Sequence, residues 1–479
     1  MSHSKTLRTS KNALMLLGGT MTRMVLTLAF VRYSSGMFSI EEFAKFAIAT
    51  HFFELFLSLT STAIGILLTR DLARWPSQLN NLGTSAIITV IALCCLAPLV
   101  MIPLGIGFRY SDDTLQAIGV ACLALFPSAL CAVFEAIFVA RGRAEFVSFG
   151  TAFESFLRIA LSFLVLSLGY GLIELMWVLV FVRSLLFIGY FISLRQIASP
   201  VWSFSYASTR RFVYRWRVFA AENWMATIYT NLDVLVLSWV AGEVSVGLYS
   251  AAWKFVRLGS VFAKSFTTAV FPVMSRMYVD SKDSFHQLFQ NTVRVMCVVA
   301  LPAIVGVSVL TDRIVPLLLD EKFADAAPIL RILIWVLLLE FLNPFLSHVL
   351  FAQGKQQRSM YVAAISLSIN SITTYLLVRQ FGAMGAAAGC IVGGVVATIC
   401  YLAFSAKMSE LPGIVASMGR VMVAASGMGI AVYLVRSSSW PVVIVVAAVS
   451  YVALLFTVQA VRMSDIRFVK STFLSRAPA

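Results

Sequence analysis

A chain of 479 residues that is 60% hydrophobic and only 12% charged falls well below the roughly 25% charge of a soluble domain, which excludes an ordinary water-soluble fold. A net charge of +15 would suit nucleic acid only if the basic side chains gathered on one solvated face; here they are scattered through short loops between apolar runs, so no nucleic-acid partner is expected. The seven cysteines, Cys94, Cys95, Cys122, Cys131, Cys297, Cys390 and Cys400, lie inside apolar runs. With no CxxC spacing and no neighbouring histidine they read as buried, reduced thiols, and no metal site is expected.

The chain opens with Lys5, Arg8 and Lys11 before an apolar segment. That segment carries Arg23 at its middle and lacks a small-residue exit, so it reads as an uncleaved first span rather than a secretory signal. Windows of about 20 apolar residues place fourteen spans, near 13–33, 45–69, 83–106, 115–139, 147–169, 172–194, 218–240, 247–272, 289–311, 327–351, 359–380, 384–405, 414–435 and 440–461. No soluble domain fits between them. Positive loops stay in the cytoplasm. Loops with Arg70, Arg74, Arg141, Arg143, Arg210, Arg211, Lys355 and Arg358 fall on the side of the N-terminus, which predicts that both termini are cytoplasmic.

An internal repeat runs through the first twelve spans. AIFVARGRAEFVSF (136–149) aligns with HVLFAQGKQQRSMY (348–361), and YGLIELMWVLVFVRSLLFIGYF (170–191) with FGAMGAAAGCIVGGVVATICYL (381–402). Shared anchors are Gly142 with Gly354, Gly171 with Gly382, and Tyr190 with Tyr401; earlier in each half, EEFAKFAIATHFFE (41–54) matches VSVGLYSAAWKFVR (244–257). Because each half has an even number of spans, both copies enter the membrane from the same side, a parallel repeat about an axis along the membrane normal. The expected architecture is an all-α polytopic membrane protein: an N-lobe at 1–195, a cytoplasmic linker at 196–217, a C-lobe at 218–406, and an appended helix pair with a tail at 407–479. The two six-helix lobes would flank a central cavity.

Charges inside spans are costly, at about 2.5 to 3.5 kcal/mol each on the insertion scale. Arg23, Glu54, Arg183, Asp233, Lys254, Arg257, Lys264 and Glu340 would together cost on the order of 20 kcal/mol facing lipid, so they must pair or meet water. Lys254, Arg257 and Lys264 fall at relative angles of about 0°, 300° and 280° on one helix, a single cationic stripe suited to an anion. Arg257 and Arg23 have no acid three or four residues away on their own helix. His51 and Glu54 occupy the repeat positions of Lys254 and Arg257, and with Asp233 they are the titratable groups that could couple transport to an ion. Glu154 and Arg158 form an i, i+4 pair, the spacing of a structural salt bridge.

The run LDVLVLSWVAGEVSVGLYSAAWKFVRL with AVFPVMSRM (269–277), the block VLFAQGKQQRSMYVAAISLSIN (349–370) and FGAMGAAAGCIVG (381–393) resemble the Wzx-type oligosaccharide-lipid flippases of the multidrug/oligosaccharidyl-lipid/polysaccharide superfamily. SIEEFAKFAIA (39–49) and LLTRDLAR (67–74) fit the same pattern. The resemblance implies a non-enzymatic transporter, expected to be a monomer, that moves an undecaprenyl-diphosphate-linked oligosaccharide from the inner to the outer leaflet of a bacterial inner membrane by alternating access. Arg23, Lys254, Arg257 and Lys264 would hold the anionic head, with H+ or Na+ as coupling ion and no other cofactor; membrane lipids, a polysaccharide polymerase and a chain-length regulator would be partners. Span 2 departs from the family pattern by offering His51 and Glu54 where a basic residue is expected. The alternatives are a lipid II flippase or a multidrug/cation antiporter of the same superfamily, the latter expected to carry an acidic rather than a basic cavity. A polytopic polymerase or ligase would need a large extracytoplasmic loop, and none is predicted.

Overall fold

The computed structural model describes residues 29–198, 205–405 and 411–460. Among the described residues there is no strand. The helices in chain order are α1 (ending at 29–37), α2 (Ile40–Arg74), α3 (Leu79–Gly107), α4 (Asp112–Ala140), α5 (Ala144–Ser167), α6 (Leu172–Ala198), α7 (206–241), α8 (243–280), α9 (Lys282–Leu318), α10 (Ala326–Ala352), α11 (356–381), α12 (383–405), α13 (Leu411–Leu434) and α14 (Trp440–Thr457). Helices α2–α14 match predicted spans 2–14 one for one, while most of predicted span 1 lies outside the described residues, and the chain is a multi-pass membrane protein.

The repeat is visible as local geometry. α4 and α10 each end on a glycine in the left-handed region, Gly142 at φ 70° and Gly354 at φ 72°. The following amide reaches back five residues in both: Arg143 N to Phe138 O at 2.8 Å, and Lys355 N to Leu350 O at 2.8 Å. This is the Schellman stop, which needs a residue free of a β-carbon at that position. The second glycine anchor departs from the alignment. Gly382 turns the chain at φ 55°, but in the first half the left-handed residue is Gly169, at φ 80°, and Gly171 instead donates its amide to Glu174 at 3.0 Å.

α2 begins at a capping box, Glu42 N to Ser39 Oγ at 3.1 Å and Ser39 N to Glu42 Oε2 at 2.8 Å, as the S-x-x-E spacing dictates. Midway it widens into a π turn over Ser58–Thr62. Ser58 O there accepts from Asn223 Nδ2 at 3.1 Å, and Leu59 O from Trp224 Nε1 at 2.8 Å, tying α2 to α7. The stretch read as a linker, 196–217, is helical to Ala198 and again from Tyr206. Phe212 and Trp216 are buried, and Arg215 pairs with the fully buried Asp71 at 2.8 Å; a count of apolar windows overlooks a helix that alternates arginines with aromatics.

The chain divides into two compact units, Met1–Ser250 with Leu318–Lys322, and Ala251–Leu317 with Phe323–Ala479. In the first, Asp320 joins α1 through Arg32 at 3.6 Å and Ser35 at 3.2 Å. In the second, the appended pair packs on α9: Tyr451 of α14 donates to Val298 O at 2.8 Å, and a β-carbon at Gly429 of α13 would lie 2.5 Å from Val305. The cysteines are unbridged; Cys94, Cys131 and Cys297 are buried, but Cys122, Cys390 and Cys400 are half-buried and Cys95 is exposed, against the expectation that all seven are buried.

Candidate functional site

Gly242, at φ 78°, turns α7 into α8. Glu243 at the start of α8 accepts from Ser111 N at 2.8 Å, so the acidic turn is pinned rather than free. Within the second unit, α8 presents Lys254 half-buried and Arg257 and Lys264 exposed. The stripe has an acid nearby. A β-carbon at Gly259 would lie 2.5 Å from Leu337, a close approach of α8 and α10 that brings Glu340 into the electrostatic field of Lys264 and Arg257. A search confined to spacings of three and four on one helix could not find it; the acid comes from another element. Arg23 lies outside the described residues.

In the first unit, Asp233 is 3% exposed and accepts a hydrogen bond from the Tyr249 hydroxyl. Asn231, two residues earlier, turns elsewhere and donates to Thr227 O at 2.8 Å, as their spacing requires. His51 Nε2 meets Ser250 Oγ at 3.4 Å; Glu54, one turn on, is exposed. His51, Asn231, Tyr110 and Leu235 line a cavity of about 10 Å³, the space of about one water and far too small for a sugar. Burial raises the pKa of Tyr110, on the loop before α4, and its hydroxyl is shared with Ser238. His348 bonds Pro344 O at 2.7 Å and stacks edge-on against Phe271, a core histidine.

A further polar centre of the first unit involves a residue that sequence reasoning overlooked. Arg183 of α6 pairs with Glu154 of α5 at 3.2 Å and lies over the Phe53 ring at 6.0 Å. Glu135 of α4 stands in the same field and accepts from the Tyr190 hydroxyl at 3.3 Å. Three helices thus bring two carboxylates, a guanidinium and a phenol together. Glu135 sits in the apolar run AVFEAIFVA and was absorbed into it; the signal that could have exposed it is its repeat partner, Ser347. Among the described residues no group of side chains is suited to hold a metal ion.

Residues 36–328 match the family described as polysaccharide biosynthesis protein. The chain is similar to the lipopolysaccharide biosynthesis protein WzxC of Escherichia coli (strain K12), 28% identical over 211 residues, 44% of this chain and 41% of that protein. It is also similar to the probable low-salt glycan biosynthesis flippase Agl15 of Haloferax volcanii, 24% identical over 176 residues, 36% of this chain and 37% of that protein. The chain thus matches less than half the length of either relative. Its fold is similar to that of the lipid II flippase MurJ in an inward closed conformation, with a TM-score of 0.77 and 16% identity, covering 94% of this chain and all of that one. With the match to its family description extending over more than half of its length, the chain belongs to the polysaccharide biosynthesis protein family.

Proposed function

We propose that the protein is a flippase that carries a lipid-linked oligosaccharide, with a diphosphate between lipid and sugar, from the inner to the outer leaflet of the cytoplasmic membrane for surface polysaccharide synthesis. The observation that carries this reading is the cationic stripe of α8, Lys254, Arg257 and Lys264, with Arg257 and Lys264 exposed within a membrane span. A diphosphate and its sugars cannot cross hydrocarbon, whereas the lipid tail need not leave it. Arg257 supplies a planar fork for phosphate and Lys254 a point charge. Arg23 is assigned to the same anion by sequence alone.

Glu340 balances the stripe when no substrate is bound, and an arriving diphosphate competes with it. The repeat halves, 1–195 and 218–406, would serve as the lobes of an alternating-access cycle, with both termini cytoplasmic. Two negative charges moving outward down a potential of about 100 mV, negative inside, gain roughly 4.6 kcal/mol. H+ or Na+ coupling through His51, Glu54 or Asp233 belongs to the same proposal, as do a polymerase and a chain-length regulator as partners.

The test is complementation of a strain lacking this gene. Arg257→Ala abolishes surface polysaccharide, leaves protein level unchanged and lets lipid-linked glycan accumulate in the inner leaflet; Arg257→Lys restores part of the surface polymer. Full complementation by both Arg257→Ala and Arg23→Ala would overturn the assignment.

A further inference from the structure

The centre on α4, α5 and α6 has a built-in control, because the repeat places the same helix junction a second time on α10, α11 and α12. By the alignment, Glu135 corresponds to Ser347, Glu154 to Ser366, Arg183 to Gly394 and Tyr190 to Tyr401. In the second copy Tyr401 shares a hydrogen bond with Ser359 Oγ at 3.4 Å, and Ser359 with Ser347 Oγ at 3.0 Å. Ser366 donates to its own backbone, Val362 O, at 2.8 Å. At Gly394 there is no side chain, and a β-carbon would meet Leu339 at 2.5 Å. The junction therefore packs with hydroxyls and a glycine alone, so charges are not required to build it.

Buried charges kept where a neutral solution exists are costly. Exchanging a buried ion pair for well-packed neutral groups is often neutral or stabilising by about 1 to 4 kcal/mol, and an ionisable group inside a membrane span marks an ion path before it marks architecture. Two carboxylates and one guanidinium leave the centre one negative charge in excess, and a single proton removes it. Arg183 Nε is buried and finds no hydrogen-bond acceptor among the described residues, which leaves a donor for Glu135 when that carboxylate ionises. The guanidinium also puts a positive charge where a bound metal cation would need oxygen ligands.

We infer that Glu135, Glu154, Arg183 and Tyr190 form a proton-binding site in the first unit, at which Glu135 takes up and releases one proton during the transport cycle. Uptake forms an O–H bond on the Glu135 carboxylate while Glu154 stays ionised against Arg183; release returns the proton to water. Beside Glu135 lies Cys131 of α4; the elements packed against α4 also carry Arg158 on α5, Cys94 on α3, and His51, Glu54, Arg70 and Asp71 on α2. Of these, Cys94 Sγ contacts Leu125 O at 3.9 Å, and Asp71 is taken by Arg70 and Arg215. This inference rests on reading the chain as a transporter, and it names a coupling group distinct from His51, Glu54 and Asp233.

The test is infrared difference spectroscopy of the full-length protein in lipid across a pH titration. The wild type shows the C=O stretch of one protonated carboxylic acid that disappears as pH rises. That band is wholly absent from Glu135→Gln and from the variant Glu135→Ser/Glu154→Ser/Arg183→Gly, which copies the second junction and retains the fold. It persists in Glu54→Gln and Glu340→Gln. A titrating band unchanged in Glu135→Gln, no such band in the wild type, or a band that responds to Na+ at fixed pH would overturn the inference. Since proton binding is read without substrate, its failure is separable from that of the flippase assignment, which complementation by Arg257→Ala decides.

Discussion

The junction of α4, α5 and α6 and that of α10, α11 and α12 share a backbone plan and differ in chemistry. Both stop their first helix on a left-handed glycine, and both bring a buried tyrosine from the third helix against the first two. One then fills the space between with Glu135, Glu154 and Arg183, the other with Ser347, Ser366 and Gly394. The second junction places its acid, Glu340, two turns earlier on α10 than Ser347, toward Arg257 and Lys264; the first has Ser128 at the matching position, donating to Ala124 O at 2.6 Å. The two junctions keep what sets the turns and vary what fills the space between the helices.

The comparison is most open to breakage at Arg183. Arg183→Ala leaves Glu154, 8% exposed, buried without its cation, and should cost about 3 to 5 kcal/mol in unfolding from mixed micelles; a loss below about 1 kcal/mol would mean that water already solvates the centre. The tyrosines give a smaller contrast. Tyr190→Phe removes a hydrogen bond to a charged group and should cost about 1.5 to 3 kcal/mol, whereas Tyr401→Phe loses only a hydroxyl pair and should cost about 0.5 to 1.5 kcal/mol. Equal losses would say that Glu135 is neutral in the resting protein. Smallest and most alike should be the turns: Gly142→Ala and Gly354→Ala each force a β-carbon into the left-handed region, at about 1 to 2 kcal/mol, and thermal unfolding of the two variants should shift together.

Much of this was legible in the residues alone. Hydrocarbon thickness sets span length, so predicted spans 2–14 each meet a helix, and Gly142 and Gly354, aligned as repeat anchors, both prove to stop a helix because glycine is at ease in the left-handed region. The anchor at Gly171 failed for a local reason: the stop falls two residues earlier, at Gly169, a shift that alignment of apolar helices cannot resolve. The aromatic and basic start of α7 escaped because its burial is one-sided, with Phe212 and Trp216 inward.

Sequence by itself determined the number of spans, the repeat, the turn chemistry and the existence of charges that hydrocarbon would not tolerate, since these depend on composition and on spacings along one helix. Tertiary structure decided which charges answer each other: Glu154 with Arg183, Glu135 with Tyr190, Asp233 with Tyr249, and Glu340 in the field of Arg257 and Lys264. Electrostatic energy depends on distance through space, and partners on different helices have no fixed separation along the chain.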